Sequence, residues 1–83
     1  MKTPETETAQ TVTIPGRLLR MAEGYQRSGC PNQAIEMFFD LVERNAETSE
    51  GRTAREQLMA ICETYEREGK MHQARGLYER LSS

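Results

Sequence analysis

Part of this chain is written twice. Tyr25-Gln26-Arg27-Ser28-Gly29 returns as Tyr65-Glu66-Arg67-Glu68-Gly69, a shift of 40 residues (65 − 25). The same shift carries Leu18 onto Leu58, Leu19 onto Met59, Met21 onto Ile61 and Ala22 onto Cys62. It also carries Glu23 onto Glu63, Gln33 onto Gln73, Ala34 onto Ala74, Phe38 onto Tyr78 and Leu41 onto Leu81. Chance amphipathicity reproduces apolar matches; it does not readily reproduce the identical Arg and Gly. A period in this range points to stacked helical hairpins, in which each unit needs its neighbour to bury an apolar face.

The local patterns agree with four helices, expected near 16–28, 31–45, 53–68 and 71–82. Leu18, Leu19, Met21, Ala22 and Tyr25 recur at helical spacing, with Pro15 suited to the first turn and Gly29 to a left-handed cap. A second helix opens at Pro31 and carries Ala34, Ile35, Phe38, Leu41 and Val42 on one face. It is expected to run out near Asn45, because Glu47-Thr48-Ser49-Glu50-Gly51 offers no apolar anchor. Thr53-Ala54-Arg55-Glu56 reads as a capping box opening the third helix, which presents Leu58, Met59, Ile61, Cys62 and Tyr65 and stops at Gly69. The fourth carries Ala74, Leu77, Tyr78 and Leu81. Residues 1–14 are polar apart from Val12 and Ile14 and read as a flexible tail. The remainder, 15–83, reads as one domain of two repeats, about 15–46 and 53–83.

Length and charge narrow the function. A chain of 83 residues supports at most one domain. A net charge of −2 gives no basic stripe for nucleic acid. No apolar run is long enough to cross a bilayer, and the N-terminus has neither the apolar stretch of a secretory signal nor the acid-poor character of a transit peptide. The expected location is cytoplasmic, with Cys30 and Cys62 as reduced thiols, since they are far apart and lack Cys-x-x-Cys spacing.

The paired residues resemble the tetratricopeptide repeat. That pattern asks for an apolar residue, a small residue and Tyr on a first helix, Gly at the turn, then Ala and an aromatic four residues later on a second helix. Met21, Ala22, Tyr25, Gly29, Ala34 and Phe38 meet it, and so do Ile61, Cys62, Tyr65, Gly69, Ala74 and Tyr78. The likeness spans 15–83. It departs from the family where Leu18 and Leu58 replace a large aromatic and where the closing proline is missing, with Ala46 near its place. The period also exceeds the usual 34 by six residues, expected between the second and third helices. Sel1-like repeats, of longer period, share the architecture. The resemblance implies an all-α fold of two stacked helix-turn-helix repeats, a fragment of a right-handed α-solenoid.

The resemblance also implies a groove along the first and third helices, where the family binds peptides. Leu19, Glu23, Gln26, Arg27, Glu56, Met59, Glu63 and Glu66 fall on the faces that point away from the Ala-rich seam. Charge on a helix face is ordinarily just a solvated surface. Here Leu19 and Met59 set apolar groups among the acids, which suits a protein partner of basic or amphipathic character. The Lys and Asn carboxylate clamp of the family's best-known groove is absent, since Leu19 and Glu23 hold those positions. Tyr25 and Tyr65 are expected at a packed seam.

Catalytic and metal readings find little support. Cys30 before Pro31 could have a lowered thiol pKa at a helix start, but no base accompanies it in the sequence. Cys62 copies Ala22 and reads as core packing. His72 is the single histidine, and Cys30 with His72 would make only two of the ligands a zinc site needs. Neither enzyme activity, a metal nor a cofactor is expected. Met37 and Phe39 widen the apolar stripe of the second helix, while Arg75, Glu79 and Ser82 give the fourth the polar outer side of a terminal cap. Two repeats fall short of the three such stacks usually need, so a homodimer is expected, with Val12 and Ile14 contributing. The leading expectation is a protein-interaction module, an adaptor or chaperone-like factor; the alternative is a self-assembly element.

Overall fold

In the computed structural model, which describes residues 14–82, four helices follow one another and each packs against the next. They are α1 (Ile14–Arg27), α2 (Pro31–Arg44), α3 (Ser49–Arg67) and α4 (Met71–Ser82). Beyond the sequential pairs, α1 also lies against α3. There is no strand among the described residues. The segment read as a tail lies outside the described residues up to residue 13, and its last member, Ile14, opens α1.

The two hairpin turns are copies down to their hydrogen bonds. Gly29 and Gly69 both have φ of +80°, a conformation an L-residue rarely takes. Cys30 N–H donates to the Tyr25 carbonyl at 2.8 Å, and Lys70 N–H donates to the Tyr65 carbonyl at 2.8 Å. Gly29 N–H reaches the Gln26 carbonyl at 3.3 Å, as Gly69 N–H reaches that of Glu66 at 3.0 Å. This pair of bonds is the Schellman motif, which satisfies carbonyls a helix end would otherwise leave free.

The connection between the repeats departs from the sequence expectation. The third helix opens at Ser49, not at Thr53, so Thr53 and Glu56 form no capping box and lie inside α3. Thr48 is the cap instead. Its hydroxyl oxygen accepts from Gly51 N–H at 2.9 Å, and its own O–H donates to the Asn45 carbonyl at 2.7 Å. A local side-chain bond thus starts the helix without an apolar anchor. Gly51 makes the early start possible, because a Cβ there would collide with the carbonyl oxygen of Asn45 and come within 2.8 Å of its carbon. Part of the extra length of the repeat therefore extends α3 rather than forming a loop.

The core gathers around α2. Its Ala34, Ile35, Phe38, Phe39 and Leu41 are buried with Ala22 of α1 and Ala54, Leu58, Ile61 and Cys62 of α3; Ala74 and Leu81 are buried on α4. Ala22 and Ala34 allow α1 and α2 to close, and Cys62 and Ala74 do so for α3 and α4. No polar or charged residue is buried among the described residues. No helix among them is long and apolar enough to cross a membrane.

Candidate interaction site

The groove residues do not share one environment. Leu19 is half-buried and packs on the core, and Glu23 is half-buried beside it. Gln26, Arg27, Glu56, Met59, Glu63 and Glu66 are exposed, Met59 at 37%. The neighbours account for the difference between Leu19 and its copy Met59. α1 lies against both α2 and α3, whereas α3 has α4 alone on its far side. Leu19 is thereby drawn into the structure, and Met59 is the apolar side chain that remains available.

Glu66 does not belong with the others. Its carboxylate accepts the Tyr78 hydroxyl at 3.3 Å, which places it over the α3–α4 hairpin rather than on the α1–α3 side. Burial first, and then Glu66, push the Tyr78 phenol above its usual range. Glu56 and Glu63 flank Met59 one turn to either side on α3, and neither they nor Glu23 makes an ion pair among the described residues. Gln26 stands at the end of the α1–α3 contact. Together with Pro31 it faces Ile61, Thr64 and Tyr65 across a hollow of about 300 Å³.

A second cleft, of about 320 Å³, lies between α2 and α4 and is lined in part by Ile35, Tyr65 and Leu77. Arg80 closes it. Its guanidinium donates to both oxygens of Glu36, at 2.9 and 3.0 Å, and lies 4.0 Å from the centre of the Phe39 ring. The forked bond to Arg80 is the main reason the Glu36 carboxyl sits below its ordinary range; modest burial opposes it, and the charge of Arg80 adds to it. Sequence reasoning did not find this clamp, because Arg80 copies Asp40 and Glu36 copies Gly76, so the repeat gives no sign of it.

The seam tyrosines are not equivalent. Tyr65 is half-buried against the core, but Tyr25 is 36% exposed, and beside it Met21 is 51% and Ile14 74% exposed. The expectation that both rings sit in a packed seam holds for Tyr65 and fails for Tyr25. Each uses the same face of its helix, but only α3 has a preceding hairpin to press it against.

The groups weighed for chemistry are placed as follows. Cys62 is fully buried, and burial, followed by the charge of Glu66, pushes its thiol up, so it stays protonated and unreactive. Cys30 is half-buried at the start of α2 and makes no side-chain cap bond. His72 is exposed. Among the described residues no group of three His, Cys, Asp or Glu side chains could hold a metal ion. Comparison of the chain with protein-family models, curated proteins and solved structures returned no match.

Proposed function

We propose that this protein is a small interaction module of tetratricopeptide-like repeats, which binds a basic or amphipathic segment of a partner protein along α1 and α3. The observation that carries the reading is Met59, an exposed thioether set between Glu56 and Glu63, whose carboxylates have no cationic partner among the described residues. A flexible apolar side chain ringed by free acids suits an apolar anchor flanked by Lys or Arg. Arg27 offsets part of the charge, so binding weakens as salt rises. An adaptor or chaperone-like role in the cytoplasm fits such a module.

The test is a substitution at the exposed anchor. Met59→Lys with Glu63→Lys is expected to lose proteins that co-purify with the unaltered chain, while the helical circular dichroism stays nearly intact. A partner retained in full by this double variant would remove the α1–α3 face as the site. Leu19 is less suited to such a test, because its packing on the core couples binding to stability.

A further inference from the structure

The two hairpins meet along one seam, and that seam has open space on both of its edges. α2 lies against α3, and the buried side chains these helices supply, among them Ile35 and Phe39 of α2 and Leu58 and Ile61 of α3, are apolar. Apolar contact is non-directional, so it holds the hairpins together more firmly than it fixes the angle between them. On one edge lies the cleft of about 320 Å³ between α2 and α4; on the other lies the hollow of about 300 Å³ that Gln26 and Pro31 share with α3. Tyr65 lines both, half-buried between them. With the pivot in the middle and room on either side, a turn of the second hairpin that widens one space narrows the other.

At the α2–α4 edge the angle is set by a single side chain. Gly76 lines the cleft from α4, and a Cβ there would meet nothing within 4 Å, so this position props nothing against α2. Arg80, one turn further on, crosses from α4 to α2 instead. It donates to both oxygens of Glu36, at 2.9 and 3.0 Å, with its guanidinium 4.0 Å from the centre of the Phe39 ring. A forked bond fixes direction as well as distance, which the apolar seam does not. Both partners are nevertheless exposed, so the bond can open and close without unfolding either hairpin.

We infer that the bond between Arg80 and Glu36 is a latch on the angle between the hairpins. While it is closed, α4 is held toward α2. Its release lets the second hairpin rock about the α2–α3 seam, which widens the α2–α4 cleft and narrows the α1–α3 hollow. A bond of this exposure shifts the balance between the two arrangements by about two- to fivefold. Where a partner lies along α1 and α3, which rests on the reading given above, the latch regulates the width of its site from the far edge of the molecule.

Distances between pairs of nitroxide labels on the full chain test the inference. One pair replaces Gln33 of α2 and His72 of α4, the other Arg27 of α1 and Glu63 of α3, all four exposed. Cys30 is changed to Ser, and Cys62 is fully buried and out of reach of the label. Pulsed dipolar spectroscopy reads both distances with no partner present, so a failure of the latch is distinct from a failure of the Met59 site. Glu36→Gln is expected to lengthen the α2–α4 distance and shorten the α1–α3 distance, and about 0.5 M salt on the chain with Glu36 intact is expected to do the same. Asp40→Asn, which removes an exposed ion pair with Arg44 inside α2, is expected to move neither. Distances unmoved by both Glu36→Gln and salt overturn the inference. Two distances that lengthen together overturn it as well, since the hairpins would then separate rather than rock, and so does an equal shift from Asp40→Asn.

Discussion

The two hairpins carry the same pattern and meet different fates. In the first, Met21 and Tyr25 face outward; in the second, Ile61 is 8% exposed and Tyr65 packs on the core. The asymmetry reverses on the other helix of each pair. Ile35 and Phe39 of α2 are buried, whereas their copies Arg75 and Glu79 on α4 are exposed. Each hairpin thus has one face that meets the other hairpin and one that does not: α2 supplies the inner face of the first, α3 that of the second. A helix in a stack is stabilised by its neighbours more than by its own propensity, so equal sequence positions acquire unequal energies.

That comparison breaks most clearly at Phe39. Phe39→Ala should cost about 3–5 kcal/mol, since it removes a ring that is 1% exposed and strips the support from Arg80. Glu79→Ala, its copy, should change stability by less than ~0.5 kcal/mol. Urea unfolding followed by circular dichroism measures both. Equal losses would mean that the two hairpins are not placed as described.

The tyrosines sharpen the same point on the other helix of each hairpin. Tyr65→Ala is expected to cost about 2–3 kcal/mol, discounted from a fully buried aromatic because the ring is only half-buried. Tyr25→Ala should cost under ~1 kcal/mol, because more of its ring is already in water. Two glycines make a further pair. Gly51→Ala should destabilise by about 1–3 kcal/mol, because its Cβ has no room beside Asn45. Gly24→Ala, with open space around it, should stabilise the fold by about 0.5–1 kcal/mol. Thermal melts of the two variants should move in opposite directions.

The smallest effect lies at the clamp between the hairpins. The Glu36 carboxyl is held below its ordinary 4.5 chiefly by its bonds to Arg80. A carboxyl whose folded pKa is depressed adds stability that is fully present above its unfolded pKa and is lost as pH falls through the folded one. Glu36→Gln should therefore lower the unfolding midpoint slightly at neutral pH, and the gap to the unaltered chain should close in acid below pH 4.5. Both groups are largely in water, the carboxylate at 65% and the guanidinium at 40% exposure, so added salt should shrink the gap too. A gap that persisted unchanged at low pH would show that Glu36 acts through packing instead.

The sequence alone determined the four helices, both glycine turns and the small residues at the helix crossings. Those features depend on bonds and sterics within a few residues, and the 40-residue echo doubled each signal. The start of the third helix was not legible, since the pattern points to Thr53 for the cap that Thr48 supplies, and the need for Gly51 beside Asn45 is decided by where the chain returns. Met59 kept the exposed place expected of it, whereas Leu19 was drawn against the core and Glu66 was taken up by Tyr78. The clamp of Arg80 on Glu36, 44 positions away in sequence, and on Phe39 has no counterpart at the copied positions. Burial is a property of what lies on the other side of a helix. A repeat specifies the same face twice, and only the tertiary structure decided which of the two faces found a neighbour.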